Sequence, residues 1–226
     1  MFVGGKSASV DRPHYFKPLE EVRVTRNRLP HWEQDDATYF LTFRAVDSLP
    51  QRMIKEWKEE RSLWLAQHPE PWCEEEACEY DRRFSRTRER WLDEGHGNCP
   101  FRDPLLRDEV LRAFFRLPGS PLLWSLVAMP NHLHALVSLD DGRDGAIGRF
   151  VRHWKGASAR RVNLARKKSG PVWSKDYFDR LIRDEAHFGN CARYIRNNPR
   201  KAKLRAGEFL LQESAFVRER LDGGVA

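Results

Sequence analysis

The apolar positions divide the chain into strand-like and helix-like stretches. Residues 38–43 are rich in Thr, Tyr and Phe, a composition that favours a strand. Apolar runs at 122–128 and 135–137 flank a Pro-Asn pair at 130–131, which predicts a β-hairpin. Apolar residues recur at helical spacing in 105–117, in 146–168 and from Asp184 onward, and each pattern predicts an amphipathic helix. Residues 172–182 read as a short strand with turns.

The same spacing predicts which side chains these helices bury. Tyr194 and Asn198 stand at positions i and i+4, so the two share an edge beside the apolar stripe of the last helix. A tyrosine there can pack one ring face and still offer its hydroxyl to a cleft, although an ordinary boundary tyrosine fits the pattern as well. Because Asn198 precedes Pro199, we expect it at the very end of the helix.

The predicted core positions are Leu105, Leu106, Val110, Leu111, Phe114 and Phe115, then Ile147, Phe150, Val151, Trp154 and Val162, then Phe188, Cys191, Ala192 and Ile195.

We expect a single domain over residues 1–226, made of four parts. Residues 1–35 are polar and broken by prolines, which predicts a mobile arm that orders only against a partner, with Arg23, Arg26 and Arg28 as candidate phosphate contacts. Residues 51–94 are charged and helix-forming, which predicts a helical insert whose alternating charges face solvent. Residues 95–204 carry the candidate site, and 205–226 form a C-terminal tail.

Charge and composition narrow the class of partner. The formal net charge is +7 and the pI about 9.4, which favours nucleic acid over acidic small molecules, although a basic soluble protein would have the same balance. Residues 149–168 hold eight basic and no acidic side chains, which favours a phosphate-binding surface. No apolar run is typical of a signal peptide or reaches the ~18 residues of a membrane span, so we expect a cytoplasmic protein with no membrane partner.

The cysteines lack the Cys-x-x-Cys spacing of zinc ribbons. Cys73, Cys78, His96 and Cys99 could in principle gather around zinc, but free thiols are the simpler interpretation.

Two histidines stand at the start of the second predicted hairpin strand. His132 and His134 are one residue apart, so in a strand they project from the same face, roughly 7 Å apart at the backbone. Such a pair can bind one metal ion, although eight histidines in this chain also make a chance pair plausible.

Four segments, in this order, resemble the REP-associated tyrosine transposases of the single-tyrosine HUH (His-hydrophobe-His) superfamily. They are MPNHLH at 129–134, KGASARR at 155–161, WSKDYFD at 173–179 and YIRNNPRKA at 194–202. The similarity runs from about residue 30 to 204, and the turn at 92–99 resembles one branch of the group. The chain departs from compact insertion-sequence transposases by its insert at 51–94, and by Asn198 where those commonly carry Gln.

The order of elements predicts an α+β fold, an antiparallel sheet with helices on one face, the Tyr194 helix packed across the histidine strand and a helical insertion. The resemblance implies that the core is ferredoxin-like. It implies cleavage of single-stranded hairpin DNA by Tyr194, which would form a phosphotyrosine with the 5′ side and leave a free 3′-OH. It also implies a divalent ion, Mg²⁺ or Mn²⁺, held by His132, His134 and the Asn198 amide oxygen. Ligand softness alone would favour Mn²⁺ or Zn²⁺ over Mg²⁺.

The remaining predictions concern DNA contacts and alternatives. Trp154 or Trp173 could stack on unpaired bases, although the core is the expected place for Trp154. Tyr177 is the alternative nucleophile. The alternative functions are a rolling-circle-type nicking enzyme, or a DNA- or RNA-binding module on the same fold without activity, and both monomer and homodimer remain open. The predicted backbone contacts are Arg149, Arg152, Lys155, Arg160, Arg161, Arg196 and Lys201.

Overall fold

The computed structural model describes residues 12–26, 30–115, 121–139 and 146–223. No helix within these ranges is both long enough and apolar enough to cross a membrane. The strands are β1 (Arg23–Arg26), β2 (Pro30–Glu33), β3 (Ala37–Arg44), β4 (Leu122–Ala128), β5 (His132–Leu139), β6 (Phe178–Leu181) and β7 (Leu210–Glu213). The α-helices are α1 (Gln51–Gln67), α2 (Glu74–Tyr80), α3 (Arg86–Asp93), α4 (Pro104–Phe115), α5 (Ala146–Arg166), α6 (Glu185–Lys201) and α7 (Ala215–Asp222).

Five strands form one antiparallel sheet in the order β6-β3-β5-β4-β7, and β1 pairs with β2 in a separate hairpin. The predicted hairpin is β4–β5, and a hydrogen bond from Met129 N to His132 O at 2.9 Å closes its turn. Strands β3, β4, β5 and β6 with helices α4 and α5 follow the chain order βαββαβ of a ferredoxin-like unit. The predicted α+β class and antiparallel sheet are therefore confirmed.

Helices cover both faces of this sheet. Alternate residues of β3 and β5, such as Leu41 and Ala135, pack with α4 and α5, while Phe40 and Leu136 pack on the opposite face with α6 and α7. The prediction of helices on one face therefore holds for the βαββαβ unit and is wrong for α6 and α7. The physical reason is β5, whose eight residues are all buried, so that both of its faces need cover.

The predicted helices form, with corrections at their edges. Helix α4 buries Leu106, Val110 and Phe114, but Leu105 is 53% exposed and Phe115 is 56% exposed. These two lie in the first and last turns of α4. The predicted core positions of α5 and α6 are all buried.

The N-terminal arm and the C-terminal tail are partly built into the fold. The His31 imidazole in β2 is buried and bonded to Asp179, and the Glu33 carboxylate accepts a hydrogen bond from Ile147 N at 3.3 Å. Arg23 forms an ion pair with Asp35, whereas Arg28 lies outside the described residues. The prediction of an arm that orders only against a partner is thus wrong for the β1–β2 hairpin, and the predicted tail adds β7 to the edge of the sheet at β4.

The insert is helical, as predicted, and carries its own aromatic cluster. Trp64 and Phe84 are buried and contact each other and Tyr80, and Trp64 also contacts the ring of Trp72. A π-helical turn, Asp81–Ser85, joins α2 to α3.

The zinc alternative finds no support in the described part of the chain, where no group of three or more His, Cys, Asp or Glu side chains is arranged to hold a metal ion. Cys73 caps α2 at the surface, whereas the buried Cys99 thiol donates to the carbonyl oxygen of Gly95 at 2.9 Å. Cys73 and Cys99 instead serve local roles, one in a helix cap and one in a turn.

Candidate active site

The paired histidines face helix α6 from the first three residues of β5. His132 and His134 are 1% and 3% exposed, and their ring centroids lie 4.8 Å apart. The tight turn at 130–131 starts the strand at His132, and the period of two in a strand then directs both rings to the same side.

Both imidazoles are held at one ring nitrogen. His132 Nδ1 lies 2.8 Å from the side-chain oxygen of Asn131, and His134 Nδ1 lies 2.9 Å from Thr42 Oγ1 on the neighbouring strand. Burial lowers the pKa of His132 to about 3 and the pKa of His134 well below its ordinary value, so both rings are neutral at pH 7. A neutral imidazole keeps one nitrogen lone pair available to a metal ion.

Tyr194 approaches this pair from α6. Its ring lies edge-on to the His134 ring at a centroid distance of 5.2 Å, and Phe40 contacts both rings, at 5.4 Å from His134 and 5.8 Å from Tyr194. The Lys201 ammonium lies 4.6 Å from the centre of the Tyr194 ring. The tyrosine ring therefore contacts both His134 and a cation.

Acidic residues of the insert also act on the tyrosine. Burial, followed by the negative charges of Glu89 and Asp93, raises the pKa of the Tyr194 hydroxyl, and the nearby Asn198 amide opposes part of this increase. Desolvation and the Glu89 carboxylate in turn raise the pKa of Asp93 to about 6. Sequence reasoning missed this contribution of α3, because nothing in a charged helical segment indicates which fold element it will face.

Asn198 is fully buried one helical turn beyond Tyr194, inside α6 rather than at its very end. The helix continues through Pro199 to Lys201, so the prediction from the proline was wrong by one turn. Both Asn198 and Pro199 are buried, and their packing outweighs the preference of a residue before proline for extended angles.

The buried polar atoms at this site fit a metal ion. Among the described residues, His132 Nε2 and both polar atoms of the Asn198 side chain lack a hydrogen-bond partner of ordinary geometry. A buried polar group without a partner costs about 1–3 kcal/mol, which a bound ion would offset. Two imidazole nitrogens and an amide oxygen are also a donor set that divalent ions accept.

The predicted DNA contacts divide into exposed and internally bonded side chains. Lys155 Nζ donates to the backbone oxygens of Ser174 and Lys175 at 2.7 and 3.0 Å. Arg161 pairs with Glu109 of α4, and Arg196 forms two 2.9 Å hydrogen bonds to Glu213 and an ion pair with Asp222. In this structure these three residues bond to other parts of the protein, and their role in DNA binding stays a prediction. Those that remain on the surface or at its edge are Arg149, Arg152, Arg160 and Lys201.

The other aromatic candidates lie away from the histidines. Trp154 and Trp173 are buried in the core between the sheet and α5, which excludes the predicted base stacking in this conformation. Tyr177 stacks on His31 at 4.3 Å and packs with the same core, on the face of the sheet opposite His134. Tyr194 is therefore the tyrosine placed beside the paired histidines.

Comparison with known proteins identifies the segment that holds this site. Residues 122–198 match the family described as "Transposase IS200 like". An uncharacterized protein of Haemophilus influenzae is 32% identical, over 32% of this chain and 51% of its own length, so the chain spans about half of that relative. A solved structure of a REP-associated tyrosine transposase bound to a REP hairpin is 14% identical with a TM-score of 0.43, and the alignment covers 78% of this chain and 74% of the other. The family match begins with β4 and ends at Asn198, so it contains both histidines and Tyr194.

Proposed function

We propose that this protein cleaves and rejoins single-stranded DNA through Tyr194, because residues 122–198, which contain this tyrosine, match the IS200-like transposase family. The observation that carries the proposal is the buried contact of Tyr194 with His134, beside the unpartnered Nε2 of His132. A nucleophile next to a group that polarises the phosphate is the arrangement that covalent phosphoryl transfer needs.

In the proposed reaction the Tyr194 hydroxyl oxygen attacks a backbone phosphorus. The O–P bond to tyrosine forms as the bond from phosphorus to the 3′ oxygen breaks, and the hydroxyl proton ends on that oxygen as a 3′-OH. The 5′ end of the downstream strand stays linked to Tyr194 through its phosphate, as a phosphotyrosine. Attack by another 3′-OH reverses the bonding and transfers the strand without an external energy source.

The raised pKa of Tyr194 keeps its hydroxyl protonated at pH 7, so the site must lower the cost of ionisation. His132, His134 and the Asn198 amide oxygen would hold a divalent ion, Mg²⁺ or Mn²⁺, which when bound withdraws charge from the scissile phosphate. Lys201 adds a positive charge over the tyrosine ring, and this charge favours the phenolate.

For the substrate we propose hairpin DNA with unpaired flanks, on the resemblance of the four sequence segments to REP-associated tyrosine transposases. Two exposed arginines of α5, Arg152 and Arg160, are the proposed backbone contacts, since both are cationic and neither pairs with another described residue.

The test is a covalent adduct assay with a single-stranded hairpin oligonucleotide and Mg²⁺ or Mn²⁺. We expect wild type and Tyr177→Phe to form a protein–DNA adduct at the 5′ end of the strand downstream of the break, and Tyr194→Phe to form none. An adduct that survives Tyr194→Phe would assign the nucleophile elsewhere. DNA binding without an adduct under either metal would instead support a binding module that lacks activity.

A further inference from the structure

The side chain of Asn131 bridges the turn after the insert and the first histidine of the site. Asn131 is fully buried, with Nδ2 3.0 Å from the backbone oxygen of His96 and Oδ1 2.8 Å from His132 Nδ1. A backbone carbonyl oxygen only accepts hydrogen bonds, so the amide must turn its NH₂ group toward His96. The amide oxygen then faces His132, and only an N–H at Nδ1 completes that contact.

We propose that Asn131 is a positioning residue that, oriented by the backbone carbonyl of His96, keeps the hydrogen of His132 on Nδ1 and the lone pair on Nε2. This inference rests on the proposed function for its purpose, since Nε2 is the atom that would bind the ion. Neutral imidazole carries one N–H, so a hydrogen held at Nδ1 leaves Nε2 free of hydrogen. That nitrogen is then a buried acceptor, and no described residue donates a hydrogen bond to it.

The His96 carbonyl can serve as a fixed reference point because the residues that follow it in the turn are anchored. Gly97 has φ +85, and a Cβ at this position would lie 2.4 Å from the backbone oxygen of Asp47. Asn98 donates its backbone N–H and its side-chain NH₂ to the Asp47 carboxylate, at 2.9 and 2.6 Å. The turn is thereby fixed against the segment that follows β3.

A second anchor ties the end of the turn to the histidine hairpin itself. Phe101 N donates to the backbone oxygen of Pro130 at 3.0 Å, and Ala45 N donates to the backbone oxygen of Asn131 at 2.8 Å. The carbonyl that orients Asn131 and the backbone that carries Asn131 therefore belong to one hydrogen-bonded unit. Through this unit the return from the helical insert supports the geometry of the metal site.

The two hydrogen bonds that link the His96 carbonyl through Asn131 to His132 form a relay. The side chain of His96 takes no part in it, and this supplies a matched control. Its Nε2 lies 2.8 Å from the Glu94 carboxylate on a partly exposed side of the turn. His96→Ala removes this ring and keeps the backbone carbonyl. Asn131→Leu keeps similar bulk and removes both ends of the relay.

The experiment is long-range ¹H–¹⁵N NMR of the full chain with ¹⁵N-labelled histidines, recorded without metal or DNA. The His132 signals are assigned by their loss in His132→Gln. We expect wild type and His96→Ala to carry the hydrogen on Nδ1, and Asn131→Leu to shift a large share of it to Nε2. In a Mn²⁺ titration followed by electron paramagnetic resonance, Asn131→Leu should bind about 10- to 100-fold more weakly, and His96→Ala as wild type does.

A wild-type His132 with its hydrogen on Nε2 would overturn the inference even if Asn131→Leu fails to fold, and so would an Asn131→Leu protein with unchanged tautomer and Mn²⁺ affinity. Because the tautomer is read without DNA, its outcome is separate from the adduct assay. Failure of the adduct assay with an Nδ1–H His132 would refute the proposed function and leave the relay standing.

Discussion

The ring of Tyr194 meets the ring of His134 edge-on at 5.2 Å, across the interface of α6 and β5. Phe40 of β3 contacts both rings and so closes a three-ring cluster on this face of the sheet. Tyrosine and histidine come from one chain, and no second copy is needed to bring them together. This arrangement makes the consequences of single substitutions specific enough to test.

Replacing His132 should abolish metal-dependent DNA cleavage and leave DNA binding largely intact. His132→Ala removes the unpartnered Nε2 from the site, so we expect loss of metal-dependent adduct formation and at least tenfold weaker Mn²⁺ binding. Retention of hairpin DNA in a gel-shift assay should stay within about twofold of wild type, because DNA affinity comes mainly from phosphate contacts. Metal-dependent cleavage by the folded variant would remove His132 from the proposed ligand set.

The exposed arginines of α5 should control the salt dependence of DNA binding. The double substitution Arg152→Gln and Arg160→Gln should weaken binding at low salt and reduce the slope of log K against log[salt] by about two, one for each lost phosphate contact. Arg196→Gln is the matched control, because this arginine is already paired with Glu213 and Asp222. It should lower stability and leave the slope unchanged. An unaltered slope in the double variant would place the DNA elsewhere.

Asp93 should make the protein less stable as the pH rises from about 4 to 6. Its carboxyl pKa is raised to about 6, so over this interval the folded protein binds more protons than the unfolded chain. Stability is then lost as the pH rises through this range and stays lower at neutral pH. Asp93→Asn should remove this slope and stabilise the protein at pH 7 by about 1 kcal/mol, a value reduced for partial solvent screening.

The measurement is urea unfolding at several pH values between 4 and 7. Glu21→Gln, at an exposed carboxylate with no ion pair to another described residue, provides the comparison for a general loss of negative charge. Parallel stability curves for wild type and Asp93→Asn would contradict the prediction.

The aromatic contacts of Phe40 should matter more for the tyrosine than for the metal site. Phe40→Leu keeps an apolar side chain but loses ring contacts worth about 1 kcal/mol, with a similar loss of stability. A less firmly held Tyr194 should form the adduct about fivefold more slowly. Mn²⁺ affinity should remain near that of wild type, and an equal loss in both measurements would indicate a general disturbance of the site.

Local sequence patterns were enough to predict much of the placement of side chains at this site. Alternation along β5 is enough to direct His132 and His134 to one face, and helical spacing is enough to bury Ile195 while it leaves Tyr194 at the edge. These predictions hold because strand and helix periods are properties of the backbone itself. Asn198 shows where such rules fail, since its place inside the helix depends on packing that a proline rule does not contain.

By itself, the sequence determined the βαββαβ order of elements, the paired histidines and the candidate tyrosine, because each depends on residues close together in the chain. Only the tertiary structure decided that α6 packs on the sheet face opposite α4 and α5. It also decided that Glu89 and Asp93 raise the pKa of Tyr194. Arg161 and Arg196 form internal ion pairs for the same reason. The tertiary structure also decided that the turn at 94–99 reaches Asn131. These contacts join segments far apart in the chain, and burial and charge pairing between such segments depend on the whole fold rather than on any local period.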